Sequence, residues 1–261
     1  MTAYRLVIEY NGTGFSGWQV QPGRRTVQGV LEQSLAVVLR ESVRLQGAGR
    51  TDAGVHALGQ TASFETDASI TPDRLRKGLT ALSRPDIAVV EAAEAPSGFN
   101  ARFDAEGKHY RYAILNRPSP SPLRANTRFF VPQPLDTAAM QRAAALLEGE
   151  HDFAGFRAQD CERETTVRRL HRVVVSCVED DIFIDVEGDA FLKNMVRILA
   201  GTLVDVGLGK RTLQSVREAL ETGDRSRAGR TAPAGGLTLV EVFYPKEWRR
   251  PRRFTTDDRA G

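Results

Sequence analysis

The feature that most constrains this chain is the order in which two hydrophobic periods alternate along its first hundred residues. Tyr4, Leu6, Ile8 and Tyr10 alternate with Arg5, Val7 and Glu9, the two-residue period of a strand. Asn11-Gly-Thr-Gly14 breaks that period, and Val27, Val30, Leu31, Leu35, Val38 and Leu39 then recur at helical spacing, with Thr26 in the N-cap position. A short strand around 43–46, a glycine-rich turn, a strand near 58–65, a helix over about 71–82 and a strand over 87–95 complete a β-α-β-β-α-β order. That order suits an antiparallel sheet with helices packed on one side, an α+β architecture.

The pattern restarts at Lys108. Tyr110, Tyr112 and Ile114 occupy one face of a strand, and His109, Arg111 and Ala113 the other. After a proline-rich connection over 117–122, Asp136 is expected to cap a helix carrying Met140, Ala143, Ala144 and Leu147 that stops at Gly149. Strands follow over 167–178 and 182–187. Phe191, Met195, Ile198, Leu199 and Val206 predict an amphipathic helix, 212–220 a short one, and 237–244 the closing strand. We therefore expect two βαββαβ-like domains, 1–105 and 106–245, with mostly antiparallel sheets and a central active-site cleft. A basic tail over 246–261 is expected to be loosely held. No residue-by-residue repeat relates the halves; only the element order suggests duplication.

With 261 residues, 41% of them hydrophobic, the chain can bury a sizeable core. No apolar stretch approaches the roughly 20 residues a membrane helix needs, and the N-terminal segment lacks a basic-then-apolar leader. Cys161 and Cys177 stand apart without a CxxC pair, which favours a reducing compartment and a cytoplasmic protein. Lysine and arginine number 36 against 33 acids, a net charge of +3. Charge on that scale is a weak sign of nucleic-acid binding, although arginines gather over 166–172 and 248–253.

The most informative segment, Gly47-Ala-Gly-Arg-Thr-Asp-Ala-Gly-Val-His-Ala-Leu-Gly-Gln60, lies between two predicted strands. Asp52 stands where a dinucleotide fingerprint needs its third glycine, and no Gly-Lys-Ser/Thr closes a phosphate loop, so nucleotide-cofactor loops are disfavoured. What remains is a carboxylate beside Arg50 and Thr51, among glycines that permit close approach of a bulky substrate. By local chemistry alone, a turn in which the Asp caps its own backbone is the simpler account. His56, His109, His151 and His171 show no paired metal-ligand spacing, so structural or surface roles are expected and no metal is implied.

The block Gly-Arg-Thr-Asp-Ala-Gly-Val-His over 49–56 changes that balance, because it resembles the signature of the TruA family of pseudouridine synthases. The resemblance spans nearly the whole chain, in order: Tyr10-Asn-Gly-Thr-Gly-Phe-Ser-Gly-Trp-Gln19, Thr26-Val-Gln28, Phe99-Asn-Ala-Arg-Phe103, Lys108-His-Tyr-Arg-Tyr112, His151-Asp-Phe153, Phe191-Leu-Lys-Asn-Met-Val-Arg197, and Ala232-Pro-Ala-Gly-Gly-Leu-Thr-Leu239 with Tyr244-Pro245. One stretch departs: Thr80-Ala-Leu-Ser-Arg-Pro-Asp-Ile87 stands where relatives carry an asparagine-rich segment closing in Leu-Pro.

The resemblance implies isomerisation of uridine to pseudouridine in the anticodon arm of tRNA, at about positions 38 to 40, by a homodimer that needs no cofactor. It assigns the catalytic carboxylate to Asp52, which could attack the base, attack the sugar or remove the 2′ hydrogen. It implies further that Tyr110 stacks on the target base, that Arg197 pairs with Asp52, and that Arg50 enters the space an unstacked base vacates. Arg24, Arg25, Lys77, Arg168, Arg169 and Lys193 are candidate phosphate contacts. A non-catalytic RNA-binding protein on the same scaffold is the second reading and would need Asp52 absent or disabled. A glycoside hydrolase would need a second acid across the site, and none stands in a comparable motif.

Overall fold

The computed structural model describes residues 1–161 and 164–248, so most of the expected tail, 249–261, lies outside the described residues. The chain runs β1 (Thr2–Tyr10), α1 (Val27–Leu39), β2 (Gln46–Gly47), β3 (His56–Thr66), α2 (Pro72–Ser83), β4 (Ile87–Ala95), β5 (Gly107–Asn116), β6 (Phe129–Val131), α3 (Thr137–Ala145), β7 (Gly149–Asp152), β8 (Val167–Val178), β9 (Asp181–Gly188), α4 (Met195–Gly207), α5 (Leu213–Thr222) and β10 (Leu237–Phe243). The α+β class and the β-α-β-β-α-β order of the first half are as the two periods predict.

Local chemistry sets the helix starts. The hydroxyls of Thr26, Thr71 and Thr212 accept the backbone N–H groups of Gly29, Arg74 and Ser215, and the Asp136 carboxylate accepts that of Ala139. Three expectations shift. The helix expected from Phe191 begins instead at Met195, because Asn194 takes φ 60°, a left-handed conformation that cannot continue a helix. The helix carrying Met140 ends at Ala145, and Gly149, at φ 100°, opens a strand rather than closing the helix. The strand expected around 43–46 is reduced to Gln46–Gly47. At the other end of the chain Lys246–Trp248 forms a short 3-10 turn, and Trp248 packs edge-on to Phe99 at 5.1 Å, so the first residues of the expected loose tail rest on the body.

One sheet runs through both halves, in the order β4-β1-β3-β10-β5-β9-β8-β7, with β2 beside β3 and β6 beside β5. All pairings are antiparallel except β10 with β3 and β5 with β6. The last strand therefore lies between the two halves: Leu239 pairs with Ala57 of β3 on one side and with Tyr110 of β5 on the other. Two strand spacings, roughly 10 Å, thus separate Ala57 from Tyr110. The unusual 80–87 segment stays tied to the first loop, since the Asp86 carbonyl accepts the Asn11 N–H at 2.9 Å and its carboxylate pairs with Arg25 at 2.8 Å.

The core is continuous. Tyr4, Leu6 and Ile8 of β1, Leu31 and Leu35 of α1, Tyr112 and Ile114 of β5, and Ile198, Leu199 and Leu203 of α4 are all buried. α2 packs against α1 and β4, and α3 against α4 and β8. Leu31 is 0% exposed and Val37, on the same helix, 65%. Leu31→Ala should lower unfolding free energy by about 2–5 kcal/mol, from lost burial plus the cavity left behind. Val37→Ala should change it by less than about 0.5 kcal/mol, both read by urea denaturation.

Candidate active site

A cleft of about 1020 Å³ opens between the loop leading into β3, the start of β5 and the segment entering α4. The loop's shape follows from where its backbone groups bond. Ala48 N–H donates to the Thr61 carbonyl at 2.8 Å, and the Gln60 side-chain amide donates to the Gly49 carbonyl at 2.9 Å. The Thr51 carbonyl accepts the Trp18 N–H at 3.0 Å, while its buried hydroxyl shares a 2.7 Å hydrogen bond with Tyr10. Gly17 makes this approach possible: at φ 91°, a side chain there would place Cβ 2.8 Å from the Thr51 oxygen. Beyond Thr51 the chain turns, with Val55 N–H donating to the Asp52 carbonyl at 3.1 Å. Asp52 thus stands at the head of a tight turn, its neighbours fixed and its side chain 34% exposed toward the cleft.

The other predicted residues arrive from the second half. Arg197 Nη1 lies 3.5 Å from Asp52 Oδ2, a long ion pair, and is bonded to Asn194 Oδ1 at 2.8 Å while Nε donates to the Ala232 carbonyl at 2.8 Å. These contacts fix the guanidinium plane before any substrate arrives. Tyr110, 7% exposed, lines the cleft with Phe191 edge-on to it at 5.1 Å. Burial raises its phenol pKa well above the usual range, with the charges of Tyr10 and Asp52 adding in the same direction, so the ring stays protonated and uncharged. Tyr10 behind it is likewise pushed up to about 12 by burial. Arg50 lines the cleft from its exposed rim.

The structure therefore brings Asp52, Tyr110, Arg197 and Arg50 to one place. Of the candidate phosphate contacts only Lys193 lines the cleft, bonded to Asp160; Arg25, Lys77 and Arg169 lie outside it in ion pairs with Asp86, Asp73 and Glu150. Sequence reasoning missed Asn194 and Phe191 as supports of Arg197 and Tyr110, and Lys108 and Arg102 as wall residues. Two signals were present: Asn194 stands three residues before Arg197, and Lys108 shares a strand face with Tyr110. Among the described residues no trio of His, Cys, Asp or Glu is grouped to hold a metal ion, and no helix is long and apolar enough to cross a membrane.

His56, inside the signature block, has a structural task. Its Nδ1 accepts the Gly12 N–H at 3.0 Å, so Nε2 carries the proton and donates to the Asn126 carbonyl at 2.8 Å. Burial lowers its pKa, since a charged ring would lose the Nδ1 acceptor and its hydration. The folded state then binds fewer protons than the unfolded state below the unfolded histidine pKa of about 6.5. Stability from this group is complete above that pH and is lost as pH falls toward the depressed folded value. His56→Gln should therefore flatten the decline in urea-unfolding free energy between about pH 6.5 and 5 relative to the wild type. An unchanged slope would contradict this role.

The family model described as tRNA pseudouridine synthase matches residues 6–104 and 143–245, more than half of the chain. A protein of Geotalea uraniireducens (strain Rf4) named tRNA pseudouridine synthase A is 51% identical over 244 residues, 94% of this chain and 100% of that one. Proteins of the same name from Myxococcus xanthus and Caldicellulosiruptor bescii (strain ATCC BAA-1888 / DSM 6725 / KCTC 15123 / Z-1320) are 48% and 43% identical, covering 94% and 92% of this chain and 92% and 98% of their own lengths. With a cleft that gathers the signature loop, a buried tyrosine and a fixed arginine, and with relatives this similar along almost its whole length, the chain belongs to the tRNA pseudouridine synthase family.

Proposed function

We propose that this chain isomerises uridine to pseudouridine in tRNA, acting on neighbouring uridines of the anticodon arm, about positions 38 to 40. The observation that carries the reading is the Asp52 carboxylate, open to the cleft and 3.5 Å from the Arg197 guanidinium, with Tyr110 on the wall nearby. The reaction breaks the N1–C1′ bond, turns the uracil while it stays bound, and joins C5 to C1′. The C5 hydrogen leaves as a proton and N1 ends protonated, so the change is redox-neutral. No step calls for an external cofactor.

Asp52 is the catalytic group in this proposal. An ionised carboxylate can engage an electrophilic carbon or take a proton. Tyr110 offers the target base an uncharged aromatic platform whose hydroxyl retains its proton for donation. Arg50, exposed at the rim, is placed to enter the space left when the uridine unstacks. Arg197, itself fixed by Asn194 and Ala232, presents its positive charge 3.5 Å from the carboxylate.

The finer parts of the reading follow family likeness. The enzyme works as a homodimer on one tRNA and in the cytoplasm, in keeping with two free cysteines and no disulfide among the described residues. Sedimentation at twice the chain mass supports the dimer, and sedimentation at the single-chain mass contradicts it.

The activity is tested with tRNA transcripts tritiated at uridine C5. The wild type should release label to water, and retention of label by folded protein sinks the enzyme reading in favour of an RNA-binding protein. Asp52→Asn should lower release by about a thousandfold or more while tRNA binding survives. Turnover near wild type in that variant would move the catalytic role elsewhere.

A further inference from the structure

The cleft holds more positive charge than its own carboxylates balance. Asp52, Asp160 and Asp189 line it, and each already has a cationic or histidine partner, in Arg197, Lys193 and His171. Arg44, Arg50, Arg102 and Lys108 line the same cleft, and among the described residues none of these four has an ion-paired carboxylate. The three arginines are exposed and solvated; Lys108 is half-buried.

The signature loop also packs against the Lys108 stem. A side chain at residue 49 would put its Cβ 3.0 Å from Lys108 Cε and 3.8 Å from Nζ, so glycine there lets the loop backbone rest directly on the lysine stem. That backbone is itself fixed by the Gln60 amide on the Gly49 carbonyl at 2.9 Å. Burial, and then the charge of nearby Arg102, lower the lysine pKa. Among the described residues no carboxylate pairs with this partly desolvated ammonium, and a full negative charge offsets desolvation where a carbonyl dipole does so only in part.

We propose that Lys108, with Arg102 beside it, seats a backbone phosphate of the RNA strand carrying the reacting uridine, at a linkage immediately flanking that nucleotide. The assignment rests on the activity proposed above. The spacing fits it: Lys108 and Tyr110 project from the same face of β5, about 7 Å apart along the strand, the order of distance between a nucleobase and its own flanking phosphate. The seat therefore fixes the sugar-phosphate backbone on one side of the target while the base lies against Tyr110. It adds a cleft contact to those at the outer surface, and one that fails to form unless the nucleotide has entered.

The experiment uses the whole chain and an anticodon stem-loop RNA in which a neutral methylphosphonate replaces one linkage at a time around the target uridine. For the wild type, one flanking replacement should weaken binding about tenfold. Lys108→Met, which keeps the aliphatic stem, should bind unmodified RNA about tenfold more weakly, be indifferent to that same replacement, and lose about one unit from the slope of log affinity against log salt. KM should rise more than kcat falls, and Lys108→Arg should restore the linkage sensitivity.

Indifference of the wild type to both flanking replacements overturns the proposal without recourse to any variant. So does a folded Lys108→Met that keeps wild-type sensitivity and salt slope. Tritium release by the wild type on unmodified RNA separates the two readings. Release with linkage-indifferent binding removes the phosphate seat alone, whereas no release removes the activity on which it rests.

Discussion

The arrangement depends on a short parallel pairing. β10 enters the sheet between β3 and β5, and Leu239 has Ala57 on one side and Tyr110 on the other. Without it, the first half would end at the edge of β3 and the second at the edge of β5. Backbone hydrogen bonds are directional and must be satisfied where the strands are buried, so the register of β10 also fixes the register of its neighbours. That pairing sits five residues beyond Asp52, and it converts two stretches far apart in sequence into two walls of one cleft.

Close backbone approach then sharpens the site. Gly17 lets the Trp18 segment reach the Thr51 carbonyl, Gly12 lets the first loop reach His56, and Gly49 lets the loop rest on Lys108. At Gly12 and Gly17 a Cβ would collide with the backbone oxygens of Val55 and Thr51, and at Gly49 it would press on the Lys108 stem. Asp52 owes its orientation to these contacts more than to its ion pair, since Arg197 is 3.5 Å away and is better bonded to Asn194 and Ala232. A carboxylate with a loosely engaged partner, on a rigid loop, is positioned without being consumed by its own protein. The surplus positive charge around it is the complementary half of the design, because a polyanion entering the cleft meets cations that have no paired carboxylate among the described residues.

Much of the fold was legible along the chain. The two-residue period gave β1 and β5, the helical period with Thr26 in front gave α1, helices were legible over about 71–82 and 212–220 where α2 and α5 stand, and these elements depend on neighbours within a few residues. The misses have a common cause. β6 and β7 are short strands that exist only because β5 and β8 offer them an edge. α4 begins late because Asn194 takes a left-handed conformation while its side chain bonds Arg197. Neither circumstance leaves a periodic trace.

The sequence by itself determined the family signature around Asp52, the identity of Tyr110 and Arg197 as residues to watch, and the elements that carry them. Tertiary structure decided that these residues share one cleft, that His56 is a clamp between Gly12 and Asn126, and that Lys108 stands on the wall with no ion-paired carboxylate among the described residues. The physical reason is range. Periodicity and capping are set by contacts a few residues apart, whereas burial, charge balance and pKa depend on what packs from elsewhere in the chain, and here that is decided by where β10 joins the sheet.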